Sequence, residues 1–227
     1  DHRLQRIDPQ HRGGWRLEWD AVAVLKDLAA HSNGHPGSDG SPWLSSWNPV
    51  RQAVKAWLEE DLGETLTEQR TAFELTRRIP ATCAFVVASS NSVRHADQFA
   101  AMDGHAVPVS ANRGASGIDG TLATAAGFAD GSGRRPVVLI GDLALQHDLT
   151  SLALCADRAG VVVVINNDGG GIFSYLPIRD HTDLFEPWFG TPHGQHFAAA
   201  ARQFSMGYEQ PGTLQEFRSA LDRAFEG

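Results

Sequence analysis

The sequence has few cysteines, no cluster of basic residues and no long apolar run. Its two cysteines, Cys83 and Cys155, are too few for a disulfide framework, and their apolar surroundings are typical of buried thiols in a reducing compartment. No apolar run approaches the roughly 18 residues of a membrane span, and no signal-peptide pattern opens the chain. The net charge of -8, with its basic residues scattered, argues against a nucleic-acid partner. We therefore expect a cytoplasmic protein without membrane insertion.

Two short apolar runs rich in β-branched residues organise the chain. They lie at 137–140 and 161–165, and turn residues bound both, which is typical of strands covered on both faces. Leucines at helical spacing fill the segment between them and predict a helix of about four turns. Strand, helix and strand form one βαβ unit, which favours an α/β fold with a parallel sheet.

Polar residues follow each of these strands. Asp142 ends the first strand, and Asn166 and Asn167 follow the second, so both groups belong at the carboxyl edge of the sheet, where open α/β sheets bind ligands. A carboxylate that faces amide and backbone oxygens suits a hard divalent cation of the magnesium type. We expect this cation to carry a phosphate group.

The remaining pattern extends the α/β alternation. Helices are predicted at 20–30, 48–61 and from Thr65 or Thr67 to Arg78, and strands at 83–88 and 106–110 with a helix between them. A long irregular stretch at 178–194 contains aromatic residues, which favour a packed lid or an interface. Two helices, 196–204 and 214–225, close the chain, and its two ends resemble those of a fragment cut from a longer protein.

A glycine-rich segment at 111–127 leaves two interpretations open. Its glycines do not form the dinucleotide fingerprint, so they indicate either backbone passing close to a ligand or a structural helix start. Arg94 and Arg113 each follow a predicted strand by a few residues. Each is a candidate to hold a carboxylate bidentately, although a surface salt bridge would explain either residue taken singly.

The spacing of Asp142 and Asn167, 25 positions apart, resembles the thiamine-diphosphate motif of the decarboxylase and carboligase superfamily. That motif usually begins GDG, whereas Leu143 stands here in place of its last glycine. The strings ANRGASGIDG (111–120) and NNDGGGIFSYLP (166–177) are closely similar to the family of 2-succinyl-5-enolpyruvyl-6-hydroxy-3-cyclohexene-1-carboxylate (SEPHCHC) synthases of menaquinone biosynthesis. The resemblance is strong over 85–177 and weaker elsewhere.

The resemblance implies a three-layer parallel sheet with helices on both faces, the thiamine-diphosphate-binding fold. It assigns residues 1–61 to the end of a central domain and its connection. It assigns residues 62–227 to the diphosphate-binding domain, truncated before its last strand. The full-length protein would be a homodimer or a dimer of dimers.

The resemblance also implies the site. The metal, Mg²⁺ with Mn²⁺ as a substitute, would be held by Asp142, Asn167 and the carbonyl of Gly169. Thiamine diphosphate would contact a set of pocket residues: Ser90, Ile118, Gly141, Asp142, Asn167, Ile172 and Phe173. Arg94 and Arg113 would meet substrate carboxylates, and Leu176 would form an apolar wall of the substrate site.

The implied activity is decarboxylation of 2-oxoglutarate and transfer of the succinyl unit to isochorismate. In this family the glutamate that activates the cofactor lies on a domain of a partner subunit, so we expect the isolated chain to be inactive.

Two alternatives belong to other classes: a carboligase of the acetolactate-synthase type, and a non-catalytic, doubly wound module that binds a nucleotide or flavin. The first is not expected to combine RGASGIDG with NNDGGGIF. The second needs phosphate-loop glycines after its first strand, where this chain has Ser89-Ser90-Asn91.

Overall fold

The computed structural model describes residues 19–32, 42–113 and 117–226. Contacts divide the chain into two units, residues 1–54 and residues 55–227. In the described part of the chain, no helix combines the length and apolar character that crossing a bilayer requires.

The first two helices differ in how well the sequence predicted them. Helix α1 spans Ala21–Ser32 and begins as expected, because the side chain of Asp20 accepts a hydrogen bond from the Ala23 N–H at 2.9 Å. Helix α2 spans Pro42–Asp61, so the predicted start at Asn48-Pro49 was wrong. Pro42 stands in the first turn, where the missing N–H costs nothing, and Pro49 is accommodated inside the helix. Residues 33–41, between α1 and α2, lie outside the described residues.

Four parallel strands form the sheet of the second unit. They are β1 (Cys83–Val87), β2 (Val109–Ala111), β3 (Arg135–Gly141) and β4 (Val161–Ile165). The strand order is β2-β1-β3-β4, and every neighbouring pair is parallel. The predicted α/β fold with a parallel sheet is confirmed, although β2 lies a few residues later than expected.

Helices cover both faces of this sheet, as predicted. One face packs against α3 (Glu68–Arg78) and α10 (Leu214–Glu226), whose Leu75 and Phe217 join Phe85 and Val137 in a single apolar cluster. The other face packs against α5 (Thr121–Ser132), which contributes Leu122 and Ala125 to a second cluster. Side chains alternate between faces along each strand, and the two central strands, β1 and β3, are buried on both sides over most of their length.

The connection from β3 to β4 is broken rather than one helix of four turns. It consists of α6 (Asp142–His147), a 3₁₀ turn (Leu149–Ser151) and α7 (Leu152–Ala156). Asp148 interrupts it: its carboxylate accepts hydrogen bonds from the Leu122 N–H at 2.6 Å and the Ser151 hydroxyl at 2.6 Å. Asp148 thereby ties the break to the start of α5, a tertiary bond that the leucine spacing did not reveal.

Short helices also replace much of the stretch predicted to be irregular. The remaining helices are α4 (Asn91–Phe99), α8 (Thr182–Phe185) and α9 (Ala198–Gln203). Between β4 and α9 lie two 3₁₀ segments, Gly171–Tyr175 and Pro177–Asp180, and a π-helical turn, Glu186–Gly190. Residues 178–194 are therefore a series of short turns, most of whose side chains are exposed.

Both thiols are buried, which leads to a chemical prediction. Cys83 and Cys155 are free and at most 1% exposed, and burial raises the pKa of Cys83 and raises that of Cys155 to about 11. Because the thiolate is the reactive form, we expect neither cysteine to react with Ellman's reagent at pH 8 in the folded chain. Two equivalents should react once the chain is unfolded in guanidinium chloride. A fast equivalent in the folded chain would contradict this packing.

Candidate functional site

The carboxyl ends of β3 and β4 bring Asp142 against the loop that follows β4. Asp142 begins α6 directly after Gly141, and this residue is 2% exposed. One carboxylate oxygen accepts from the Leu143 N–H at 2.7 Å, and the other accepts from the Gly169 N–H at 3.0 Å. The prediction that these two loops share one edge of the sheet is confirmed.

The loop after β4 is held by its own side chains as well as by Asp142. Asp168 has a φ of 62° and accepts from the backbone N–H groups of Gly194 and His193, at 2.7 and 2.9 Å. These two bonds hold the pKa of Asp168 below its usual value. Asn166 donates from its amide to the Gln195 carbonyl at 2.9 Å. The loop is therefore fixed against the segment that precedes α9.

We call residues 185–195 the cover segment, because they lie directly over this loop. The Gly170 N–H donates to the Gly190 carbonyl at 2.6 Å, and the rings of Phe173 and Phe189 meet edge to face at 5.5 Å. A Cβ atom at Gly169 would collide with the Gly190 carbonyl, and one at Gly170 with the Phe189 carbonyl. Gly169 also has a φ of +133°, so the close approach and the backbone both require glycine there.

The ring of His193, in the cover segment, contacts the same carboxylate. Its Nε2 lies 3.1 Å from an Asp142 oxygen, and its Nδ1 accepts from the Gln195 N–H at 2.9 Å. Because Nδ1 accepts, the proton of a neutral ring is on Nε2, which donates to Asp142. This contact joins residues 51 positions apart, and no pattern in the sequence predicts it.

Glu68, the first residue of α3, reaches the same loop from the other direction. One of its oxygens accepts from the Asn167 amide at 2.8 Å, and the other lies 2.9 Å from Nε2 of His95, a buried residue of α4. The hydrogen bond with His95, and then that with Asn167, hold the pKa of Glu68 below its usual value despite partial burial. Glu68 is therefore a carboxylate at neutral pH, and the sequence prediction of the site missed it.

The remaining candidates follow the neighbouring strands β1 and β2. Ser90 precedes α4 with a φ of 68°, an uncommon conformation for a residue with a side chain, and its carbonyl accepts from the Arg94 guanidinium at 2.6 Å. The Ser89 hydroxyl lies 3.5 Å from the Asn112 carbonyl, next to Arg113. Arg94 and Arg113 are both exposed, and both follow strands at this edge of the sheet.

The apolar candidates differ in their exposure. Ile118 is partly buried and packs against the second core cluster. Ile172 and Phe173 lie in the 3₁₀ turn over the loop after β4, with Phe173 36% exposed. Leu176 ends that turn and is 49% exposed. Exposed apolar groups beside polar loops are typical of a surface that a ligand or another chain covers.

The donor atoms at this edge fit a magnesium-bound diphosphate. Among the described residues, Asp142 is paired only with N–H groups and a histidine, so its buried carboxylate has no Lys or Arg counter-ion there. The described part of the chain contains no group of three or more His, Cys, Asp or Glu side chains that could hold a metal. One carboxylate with amide and backbone oxygens suits a hard cation that keeps phosphate and water ligands, as Mg²⁺ does.

Comparisons with solved structures agree with this fold. Benzoylformate decarboxylase from Polynucleobacter necessarius matches 71% of the chain with a TM-score of 0.58 and 19% identity. A thiamine diphosphate-dependent 4-hydroxybenzoylformate decarboxylase from Rhodococcus jostii matches 73% of the chain with the same TM-score and 22% identity. The chain covers 31% of each of these proteins. At these identities the likeness shows the fold.

Curated relatives are much closer in sequence. The SEPHCHC synthase of Rubrobacter xylanophilus is 49% identical over 99% of this chain, and that of Salinibacter ruber is 46% identical over 96%. The chain spans about 39% and 37% of the length of these two relatives. No family model matches the chain. Over the part of their length that it matches, the chain is similar in sequence to the SEPHCHC synthases.

Proposed function

We propose that this chain is the diphosphate-binding part of a thiamine-diphosphate-dependent SEPHCHC synthase. The whole enzyme would decarboxylate 2-oxoglutarate and add the succinyl unit to isochorismate in menaquinone biosynthesis. The observation that carries the proposal is the hydrogen bond from Gly169 to the buried carboxylate of Asp142, which joins the two loops of the motif. The names of the relatives support the choice of reaction.

Each loop residue has a proposed role in holding the cofactor. The carboxylate of Asp142, the amide oxygen of Asn167 and the carbonyl of Gly169 would hold Mg²⁺, or Mn²⁺ in its place, against the diphosphate. Gly141, Ser90, Ile118, Ile172 and Phe173 would line the rest of the cofactor pocket. Bound thiamine diphosphate would supply the carbanion chemistry that loss of carbon dioxide from a 2-oxo acid requires, while the protein supplies position and electrostatics.

Arg94 and Arg113 are proposed to orient the substrates. Both 2-oxoglutarate and isochorismate carry carboxylates, which a guanidinium binds through paired hydrogen bonds. The exposure of both arginines at one edge of the sheet leaves them accessible to such ligands. Leu176 would be an apolar wall of the same site. We also propose that the full-length enzyme is cytoplasmic and works as a homodimer or a dimer of dimers.

The isolated chain is expected to be inactive. The family resemblance implies that the glutamate that activates the cofactor lies on a domain outside these residues, and a site without that group would not generate the reactive form. Purified 227-residue chain, supplied with thiamine diphosphate, Mg²⁺ and 2-oxoglutarate, should release no carbon dioxide above the protein-free rate. Measurable decarboxylation would refute this assignment of the glutamate.

A chimaera tests the proposed function of the whole enzyme. This chain replaces the matching segment of the Rubrobacter xylanophilus synthase, to which it is 49% identical. The chimaera should consume 2-oxoglutarate and isochorismate and release carbon dioxide, and an Asp142→Ala chimaera should not. A chimaera that folds and binds thiamine diphosphate but leaves 2-oxoglutarate untouched would contradict the proposed reaction.

A further inference from the structure

The side-chain amide of Asn167 is fixed by a residue from a distant part of the chain. Its Nδ2 donates to Oε1 of Glu68 at 2.8 Å, across 99 positions of sequence. Within the described residues, Oδ1 of Asn167 accepts no hydrogen bond. The amide nitrogen is thus hydrogen-bonded to a carboxylate, whereas the amide oxygen is available to bind a ligand.

The charge of Glu68 decides which way the carboxamide faces. An ionised carboxylate only accepts hydrogen bonds, so it attracts the amide N–H₂ and repels the amide oxygen. A hydrogen bond to a charged acceptor is stronger than a neutral one, so a rotation that exchanged nitrogen and oxygen would be costly. We infer that Glu68 is a positioning residue that turns Nδ2 of Asn167 toward itself and so presents Oδ1 to the divalent cation.

Glu68 is itself held on both sides. Its second oxygen lies 2.9 Å from Nε2 of His95, whose side chain is 7% exposed. The helix that carries Glu68 begins at a fixed point, because the Thr67 hydroxyl accepts from the Arg70 N–H at 3.1 Å. A partner that orients a metal ligand must be rigid, and hydrogen bonds on a helix provide this rigidity.

The inference rests on the proposed function, because it takes Asn167 as a metal ligand. It goes further by assigning a role to a residue outside the loops of the motif. Substitution of such orienting partners typically lowers metal affinity about 10–100-fold. We therefore expect Glu68→Ala to weaken Mn²⁺ binding at least about 10-fold in the presence of thiamine diphosphate.

The Asn167→Asp variant distinguishes an orienting role of Glu68 from a purely structural one. In Asn167→Asp both terminal atoms are oxygens, so no particular orientation is needed, and Glu68 would then repel the new carboxylate. Adding Glu68→Ala to Asn167→Asp should leave Mn²⁺ affinity unchanged or raise it. Glu64→Ala is the matched control for charge, because Glu64 lies near the same helix start and its side chain is 79% exposed. It should have no effect on affinity.

The measurement is Mn²⁺ affinity by electron paramagnetic resonance on the 227-residue chain and its variants with thiamine diphosphate. Side-chain amide signals of Asn167 in ¹⁵N spectra of the metal-free chain give an independent readout, and Glu68→Ala should move the amide proton that bonds to Glu68 upfield. Glu68→Met keeps the length of the side chain but has no carboxylate, and it replaces Glu68→Ala if that variant does not fold. The inference would be overturned if Glu68→Ala lowered Mn²⁺ affinity equally in the chain with Asn167 and in the Asn167→Asp variant. It would also be overturned if Glu68→Ala caused no loss in the chain with Asn167.

Asp142→Ala distinguishes a failure of the role inferred for Glu68 from a failure of the proposed metal site. If it abolishes Mn²⁺ binding while Glu68→Ala has no effect, the metal site stands and only the role of Glu68 fails. If the chain does not bind Mn²⁺, or if Asp142→Ala binds as the unmodified chain does, the proposed metal site itself fails.

Discussion

Asp142→Asn should lower the affinity of the chain for thiamine diphosphate with Mg²⁺ at least about 100-fold. Loss of an orienting partner alone costs about 10–100-fold, and Asp142 is proposed as a direct ligand. Asparagine has nearly the same shape, so the volume at this residue, which is 2% exposed, is kept while the charge and one acceptor for an N–H group are removed. Isothermal titration calorimetry with excess Mg²⁺ measures the difference.

Asp168→Asn is the matched control for this substitution. Asp168 lies in the facing loop after β4, but its carboxylate accepts from the cover segment and is not a proposed ligand. Its φ of 62° is one that asparagine tolerates, so the backbone should not change. This variant should bind the cofactor within a few-fold of the unmodified chain. Equal affinity in Asp142→Asn and Asp168→Asn would exclude Asp142 as the metal ligand.

Glu74→Ala should lower the free energy of unfolding by about 3–5 kcal/mol, the usual cost of removing one partner of a buried ion pair. Glu74 is 1% exposed, and one of its oxygens lies 2.8 Å from both Arg70 and Arg218, while Arg78 pairs with the other. Arg70 is also buried, so without Glu74 its charge would lose its closest partner. Urea unfolding followed by circular dichroism at pH 7 measures the loss.

Two comparisons check the cause of this destabilisation. Glu64→Ala removes an exposed carboxylate from the same group of arginines and should cost less than about 1 kcal/mol. The arginines hold the pKa of Glu74 below its ordinary value of 4.5, against the opposing effect of burial. The stabilisation is therefore fully present above pH 4.5 and declines as the pH falls through the lowered pKa. A stability difference that did not shrink at acid pH would contradict the ion-pair account.

The sequence predicted the sheet well because its signals are local. Short β-branched runs bounded by turn residues identified β1, β3 and β4, and the alternation with helices implied parallel strands. The rule that parallel strands share a carboxyl edge then placed Asp142 beside the loop of Asn167. Helix caps also have local sequence signatures. Thr67, one of the two predicted starts, is the N-cap of α3.

The parts that were missed depend on contacts between distant residues. Asp148 breaks the connection after β3 because it bonds to α5, 26 positions away along the chain. Glu68 and His193 reach the two loops across 99 and 51 positions. Neither residue belongs to a motif, and hydrophobic periodicity carries no information about polar partners. These contacts follow from the packing of the elements, which spacing along the chain does not specify.

Thiamine diphosphate titrated into the unmodified chain, with Mg²⁺ and then with EDTA, tests the central claim most directly. We predict one equivalent bound in the presence of Mg²⁺ and a loss of binding of at least about 100-fold in EDTA, because the carboxylate of Asp142 and the diphosphate are both anionic and need the cation between them. Binding of equal strength with and without Mg²⁺, or no binding in either case, would contradict the account.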